Sequence, residues 1–305
     1  NMKSDNLKES RNIEDRRGQS YSQSSGNSNL GGGILQILLS PGSFKSKIII
    51  ILLVVLLGGG GASLGGLFGN GTSSQPYQST QVTRTNKTHV DDADAEFVSK
   101  VLGTTEDHWQ KVFQAEGRTY QEPKLVFYTG RTKTGCGVGQ ASAGPFYCPT
   151  DKKIYLDMSF YKELTTKYKA SGDFAMAYVI AHEVGHHVQN ELGILGKYHR
   201  MQQGLSEKER NAISVRIELQ ADYLAGVWAR SIQDRNLLDI GDIEEAMNAA
   251  HAVGDDTLQE QAYGYSVPDS FTHGTSEQRM RWFKRGYQYG DLQHGDTFSL
   301  SDSEL

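Results

Sequence analysis

The chain has 305 residues, of which 37% are hydrophobic and 22% are charged, and its formal net charge is −5. This composition allows one globular domain with a sizeable core and additional tails. The mildly acidic balance, with no basic stripe in the C-terminal region, argues against a nucleic acid as partner.

The N-terminal part differs in composition from the rest of the chain. Residues 1–33 are polar, rich in Ser, Asn and Gly, and show no apolar periodicity. Such a segment cannot bury enough apolar surface to offset the chain entropy that folding removes. We therefore expect residues 1–44 to form a disordered N-terminus.

An uncharged apolar stretch follows, from Ile48 to Phe68, and it begins with ten consecutive aliphatic residues. At about 1.5 Å per residue, a helix of this length can cross a hydrocarbon core of about 30 Å. Four glycines at 58–61 weaken its second half. We predict a retained transmembrane signal anchor at residues 45–69, because the stretch begins late in the chain. A cleaved signal peptide, whose apolar core has about 7–15 residues, is the alternative.

The charges beside this stretch predict its orientation. Arg16, Arg17, Lys45 and Lys47 precede it, and the next basic residue along the chain is Arg84. The positive-inside rule then puts the N-terminus in the cytoplasm and the following part of the chain outside. The sequence thus predicts a single-pass protein of the cell membrane with an extracytoplasmic C-terminal domain.

The remaining sequence predicts a polar linker at residues 70–90, a folded domain at residues 91–290 and a C-terminal tail at residues 291–305. Apolar spacing within the domain predicts helices at 91–115, 160–168, 173–192, 206–230, 240–251 and 276–285. Short aromatic and β-branched runs predict strands at 124–128 and, as a hairpin, at 146–148 and 153–156. The predicted fold class is α+β, mainly helical with a small sheet.

Two cysteines, Cys136 and Cys148, flank a glycine-rich loop. An even number of cysteines in a region predicted to lie outside the membrane favours a disulfide. The alternative is a pair of free thiols in a reducing compartment. Their spacing fits no usual pair of zinc ligands.

The run His182-Glu183-Val184-Gly185-His186 has H-E-x-x-H spacing. Residues four apart lie on one face of a helix, so two imidazoles can reach one tetrahedral Zn²⁺, and the glutamate between them can take a proton from water. The preceding run, 174–181, is apolar all round, which predicts a buried helix. Polar residues in such a helix need partners, and a metal is one. The alternative is a surface helix end with incidental histidines.

A third ligand is predicted on the helix at 206–230. Glu218 and Asp222 lie four residues apart beside an apolar stripe. Like charges at this spacing repel each other, and a nearby cation removes the penalty. We predict that Glu218 binds the metal and that Asp222 accepts the free N–H of a ligating histidine. The alternative is a solvated acidic face on an amphipathic helix.

His273 lies on a turn just before the last predicted helix. From there it can hydrogen-bond the oxygen of a tetrahedral intermediate, which makes it a candidate catalytic residue. A histidine that caps the helix is the alternative, and Tyr263 and Tyr265 are weaker candidates for the same catalytic role. We expect His187 to pack or to form a hydrogen bond.

Four stretches resemble the bacterial neutral zinc metallopeptidase family, whose members are membrane-anchored. They are CGVGQASAGPFYCPTDKKIYLD, GDFAMAYVIAHEVGHHVQ, ELQADYLAGVWA and FTHGTSEQRMRWFKRGY, and the start NIEDRRG is similar too. The resemblance implies a zincin-type catalytic domain in which His182, His186 and a downstream glutamate bind zinc and Glu183 is the catalytic carboxylate. It also implies that the segment IYLD, at 154–157, is an edge strand that pairs with an extended peptide substrate.

These observations together predict a membrane-anchored metallopeptidase with one Zn²⁺ per chain and a peptide or protein substrate. Glu183 is the predicted general base for hydrolysis of the peptide bond. The rival is a zinc-stabilised extracytoplasmic binding or scaffold protein without significant turnover. A closed site with His187 or Asp222 as a fourth ligand would favour the scaffold, whereas an open position for water would favour the enzyme.

Overall fold

The computed structural model describes residues 1–19 and 92–305. The predicted anchor at 45–69 and the predicted linker at 70–90 lie outside the described residues. Among the residues that are described, no helix has both the length and the apolar character needed to cross a membrane.

Helices predominate over a small sheet, so the domain is α+β, as the sequence pattern predicts. The helices of the described residues are α1 (Ala93–Ala115), α2 (Ser159–Thr166), α3 (Asp173–Glu191), α4 (Ile194–Met201), α5 (Glu207–Asp234), α6 (Asp242–Ala252), α7 (Asp255–Tyr263) and α8 (Ser276–Tyr289). The strands are β1 (Ile13–Asp15), β2 (Lys124–Tyr128), β3 (Arg131–Thr134), β4 (Gly137–Gln140), β5 (Phe146–Cys148) and β6 (Lys153–Asp157). Spacing predicted the long helices and missed β1, the β3–β4 hairpin, α4 and α7.

The main sheet has the strand order β1-β2-β6-β5. Strands β1, β2 and β6 run parallel, and β5 pairs with β6 in the predicted antiparallel hairpin. The expectation that 154–157 forms an edge strand is wrong, because β6 lies between two partners and β5 is the edge. The reason is visible in burial: residues 154–156 are buried throughout, which suits a central strand covered on both faces.

Residues 1–19 correct a second expectation. They belong to the same compact unit as residues 92–305, whereas the sequence predicts disorder up to residue 44. Strand β1 pairs with β2, and the Met2 side chain is only 3% exposed. A three-residue strand shows no periodicity, and its partner is more than a hundred residues away. Composition alone therefore could not reveal it.

Helices α3 and α5 pack against each other in the core, and Gly185 allows their close approach. A Cβ atom at residue 185 would lie 2.9 Å from the carbonyl oxygen of Ala221 on α5. This glycine lies one residue before His186, and Ala221 lies between the predicted residues Glu218 and Asp222. The contact therefore brings the two helices together where both carry candidate site residues.

The predicted C-terminal tail at 291–305 packs on α5. The Gln220 side-chain amide donates to the Gly295 carbonyl at 2.9 Å, and the Thr297 hydroxyl donates to the Arg216 carbonyl at 2.6 Å. The last residue, Leu305, is buried. The tail thus covers the outer side of the helix that carries Glu218.

Candidate active site

Helix α3 places the H-E-x-x-H residues inside the protein. His182 is 6% exposed and Glu183 is 8% exposed, and the apolar residues before them are buried. The rings of His182 and His186 lie one turn apart, with centroids separated by 4.8 Å. The alternative of a surface helix end with incidental histidines therefore does not describe this helix.

Helix α5 brings a carboxylate to the same point as the two imidazoles. The Nε2 atom of His182 lies 3.0 Å from Glu218 Oε2, and the Nε2 atom of His186 lies 3.2 and 3.3 Å from the two oxygens of Glu218. One ligand atom from each residue lies within 4.8 Å of the others. The structure therefore brings together the three residues that the sequence singles out as ligands.

The Nδ1 atom of each imidazole has a hydrogen-bond partner of its own. His182 Nδ1 lies 2.8 Å from Asp222 Oδ1, and His186 Nδ1 lies 2.9 Å from Gln189 Oε1. Both partners are acceptors, so each Nδ1 carries a proton and each Nε2 faces Glu218, where it can bind a metal once the imidazole is neutral. This arrangement orients metal-binding histidines and increases their basicity.

Asp222 lies at the centre of a buried polar network. It accepts hydrogen bonds from Tyr178 at 2.5 Å and from the Arg279 guanidinium at 2.8 and 3.1 Å, besides its contact with His182. Burial disfavours the charge, but Arg279 and His182 outweigh it and lower the pKa of Asp222 to about 2. Asp222 is thus an ionised buried carboxylate with paired oxygens, and not part of a solvated acidic face.

Burial raises the pKa of Glu183, whereas the charges of His182 and His186 act in the opposite direction. A carboxylate in such surroundings gains a proton more readily than one in water. This property suits a group that must accept a proton and release it again.

The geometry fits zinc. Tetrahedral zinc sites have ligand distances of about 2.0–2.1 Å, so neighbouring ligand atoms lie about 3.3 Å apart. The distances from Glu218 to the two Nε2 atoms are 3.0, 3.2 and 3.3 Å. Two neutral imidazoles with one carboxylate are a donor set found in catalytic zinc enzymes, which keep the fourth position for water.

His187 and Asp222 are the two residues considered as a fourth zinc ligand, and both have other partners. His187 is buried, with Nδ1 at 2.8 Å from the Tyr147 hydroxyl and Nε2 at 2.5 Å from the Gln121 carbonyl oxygen. Asp222 faces His182, Tyr178 and Arg279 as described above. Neither side chain is placed to serve as a fourth ligand.

His273 lies on the turn before α8, and Asp255 organises this turn. One carboxylate oxygen of Asp255 accepts the backbone N–H groups of Thr272, His273 and Gly274 at 2.8, 2.7 and 3.1 Å. Its other oxygen lies 3.5 Å from His273 Nδ1. The His273 side chain is half-exposed, and its partial desolvation lowers its pKa, but Glu218 and Asp255 outweigh that effect and raise the pKa. The imidazole is therefore within electrostatic range of Glu218.

The cap of α8 is a threonine and not the histidine. The Thr275 side chain accepts from the Gln278 backbone N–H, and Gln278 reciprocates in a capping box. The alternative of His273 as a cap is wrong, and 51% of its side chain is exposed. Tyr263 and Tyr265 pair with each other at a centroid distance of 6.1 Å, and Tyr265 is 62% exposed.

Cys136 and Cys148 form a disulfide, which confirms the prediction from their number and position. The bond joins the tip of the β3–β4 hairpin to the end of β5. The Tyr147 hydroxyl on β5 accepts from the Asn190 amide of α3 at 3.0 Å and also contacts His187. The disulfide therefore anchors the strand that packs beside the motif helix.

Sequence reasoning missed four residues that support the site: Tyr178, Gln189, Asp255 and Arg279. Gln189 had a usable signal, because it follows His186 by three residues on the same helix. Arg279 also has a signal in the sequence, since the large apolar residues Trp282 and Phe283 follow it by three and four residues, on the same side of the predicted helix. The roles of Tyr178 and Asp255 depend on contacts between distant helices, which spacing does not encode.

Similar proteins extend over most of the chain. "Uncharacterized protein YpfJ" of Escherichia coli (strain K12) is 49% identical over 294 residues, which cover 96% of this chain and 98% of that protein. "Uncharacterized protein Rv2575" of Mycobacterium tuberculosis (strain ATCC 25618 / H37Rv) is 44% identical over 194 residues, which cover 60% of this chain and 64% of that protein. No solved structure matches this chain.

The family described as "Putative neutral zinc metallopeptidase" matches residues 2–298. This range contains the ligand cluster, Glu183 and the turn at His273. It also contains the ordered N-terminal segment with β1. The chain therefore belongs to this zinc metallopeptidase family.

Proposed function

We propose that this protein is a zinc-dependent peptidase that hydrolyses peptide bonds with a water molecule activated beside Glu183. One observation carries the proposal: His182, His186 and Glu218 converge within 4.8 Å next to the buried Glu183. Three ligands with an adjacent carboxylate base form a hydrolytic site, whereas a structural zinc site needs no base.

The proposed mechanism assigns each side chain a task. His182, His186 and Glu218 would hold the metal, which would act as a Lewis acid: it would lower the pKa of a bound water toward about 7 and polarise the substrate carbonyl. Glu183 accepts the proton of the attacking water and passes it to the leaving amine. Asp222 keeps His182 in its Nδ1–H tautomer at 2.8 Å.

His273 completes the proposed machinery. Its turn packs on α5, because a Cβ atom at Gly274 would lie 3.1 Å from Leu219, the neighbour of Glu218. An imidazole N–H near Glu218 can donate a hydrogen bond to the oxygen that gains negative charge during attack on the carbonyl. The Asp255 carboxylate keeps this turn in place through its three backbone contacts.

The disulfide supports work in an oxidising compartment. Disulfides persist in the periplasm and outside cells, and cytosolic proteins rarely keep them. We therefore propose that the domain, with its peptide or protein substrate, works outside the cytoplasm. The scaffold alternative loses support, because His187 and Asp222 both have other partners.

The test compares two glutamate variants on the same helix. We expect purified wild-type protein to contain about one zinc per chain and to cleave a fluorogenic peptide library. Glu183→Gln should retain zinc and lose cleavage, whereas Glu191→Gln, which weakens contacts with Lys152 and His187 and removes no predicted ligand, should retain both. Full peptidase activity in Glu183→Gln would contradict the mechanism.

A further inference from the structure

We propose that residues 1–19 are a built-in part of the metallopeptidase domain, so the N-terminal segment and the active site lie on the same side of any membrane that the chain contacts. This topology differs from the one that the flanking charges predict, which puts the N-terminus in the cytoplasm and the domain outside. The inference rests on how β1 joins the domain and does not depend on peptidase activity.

Backbone hydrogen bonds integrate the segment into the sheet. Ile13, Glu14 and Asp15 pair in parallel register with β2. The Leu125 N–H donates to the Asn12 carbonyl at 2.8 Å, and the Arg16 N–H donates to the Phe127 carbonyl at 2.7 Å. Strand β2 is buried beyond its first residue, so the segment covers backbone groups that would otherwise lack partners at this edge.

Side chains on either side of β1 reach different parts of the domain. The Asn12 amide donates to Glu106 on α1 at 3.0 Å. Lys153 on the central strand β6 pairs with Glu14 at 2.9 Å, and the Arg16 guanidinium donates to Thr132 of the β3–β4 hairpin at 2.9 Å. These side chains therefore contact α1, the main sheet and the β3–β4 hairpin.

The beginning of the segment also packs on the domain. The Lys3 N–H donates to the Leu237 carbonyl at 2.8 Å, and Met2 is buried. On α1, a Cβ atom at Gly103 would lie 2.9 Å from the Lys8 carbonyl oxygen. The helix thus has a glycine where the N-terminal backbone passes close to it.

The end of the N-terminal segment lies beside the start of α1. Arg17 forms an ion pair with Asp92, the residue that caps α1. Paired strands lie about 4.8 Å apart, whereas the hydrocarbon core of a bilayer is about 30 Å thick. Segments that pair as β1 and β2 do therefore cannot lie on opposite sides of a bilayer.

Single cysteines in the full-length chain test this topology. Asn6 and Gln114 are exposed residues on the N-terminal segment and on α1, and each is changed separately to cysteine. A membrane-impermeant maleimide is applied to bacterial cells with an intact inner membrane and then to lysed cells. We expect Asn6→Cys and Gln114→Cys to behave alike, both labelled in intact cells or both labelled only after lysis. Labelling of one in intact cells and protection of the other would overturn the proposal.

A second measurement tests the packing without a membrane. Gly103→Ala forces the Lys8 backbone away, whereas Gly196→Ala on α4 meets only the Arg200 guanidinium, at 3.3 Å. Both changes replace a helical glycine with a better helix former. We expect Gly103→Ala to lower Tm and to make the N-terminal segment sensitive to protease, and Gly196→Ala to do neither. Unchanged Tm and protease resistance in Gly103→Ala would contradict the tight contact on which the topology depends.

Discussion

Helix α3 carries two clusters of potential metal ligands, and they differ in what surrounds their oxygen and nitrogen atoms. The first cluster is His182, His186 and Glu218, and the second, at the start of the helix, is Asp173 with Asp242 and Glu245 of α6. In both clusters the ligand atoms lie within 4.8 Å of one another. Distance alone therefore does not distinguish them.

The second cluster has a structural explanation that needs no metal. Glu245 accepts the Phe174 N–H of α3 at 3.1 Å, Asp242 accepts the Asp239 N–H at 2.8 Å, and Asp173 accepts the Met2 N–H at 3.3 Å. Asp173 and Asp242 are the first residues of their helices, where the helix dipole favours negative charge. These carboxylates bind backbone groups, whereas the imidazoles of the first cluster direct their Nε2 atoms toward a shared point.

The largest expected effect comes from removing one ligand of each cluster. His182→Ala should abolish stoichiometric zinc binding and peptidase activity, because two ligands do not hold catalytic zinc. Glu245→Ala should leave about one zinc per chain. Metal analysis after dialysis, together with peptide cleavage, measures both. Loss of zinc from Glu245→Ala with retention in His182→Ala would reverse the assignment of the clusters.

His273→Phe should lower kcat by about 10²–10³-fold and leave the zinc content unchanged, because it removes a donor to the developing oxyanion and no ligand. The control is His294→Phe, a partly exposed histidine that contacts Asp291 instead. Steady-state kinetics would show the difference in kcat and not in KM. Equal kcat in both variants would remove His273 from the mechanism.

Asp222→Asn should weaken zinc binding by about 10–100-fold, because the histidine loses its charged partner. The same change leaves Arg279 buried without its counter-ion, and breaking such a pair costs about 3–5 kcal/mol. Asp242→Asn, at the buried carboxylate of the second cluster, is the matched control for zinc affinity. Competition with a chelator and chemical denaturation measure the two effects, and equal zinc affinities would argue against the role of Asp222.

The smallest expected effect concerns the pH dependence of the second cluster. Burial and the neighbouring carboxylates Asp173 and Asp242 raise the pKa of Glu245. A carboxyl group with a raised pKa stabilises the fold below its unfolded pKa, near 4.5, and this stability is lost as pH rises through the folded value. At pH 7, the free energy of unfolding of Glu245→Gln should therefore exceed that of the wild type, by less than about 1 kcal/mol. Near pH 4 the two proteins should be equally stable. A gain that persists at pH 4 would contradict carboxylate repulsion as its cause.

The candidate site shows how far spacing can predict a fold. His182 and His186 are one helical turn apart, and the apolar run before them correctly predicts a buried helix. The prediction of strand β2 at 124–128 is also confirmed, because its apolar residues are consecutive. Spacing does not predict strand β1, and the expected edge position of β6 is wrong. Strand order depends on partners that are distant in the sequence.

By itself, the sequence determined the features that depend on neighbouring residues: the motif helix, the pair Glu218 and Asp222 on one helix, and the disulfide pair as the two cysteines of the chain. The tertiary structure alone decided which groups meet across helices. It placed Glu218 3.0 Å from His182 Nε2, paired Asp222 with Arg279 and brought the N-terminal segment onto β2. The physical reason is that helix periodicity depends on residues close in the sequence. The partners of a buried charge or of a strand edge, in contrast, come from residues far along the chain.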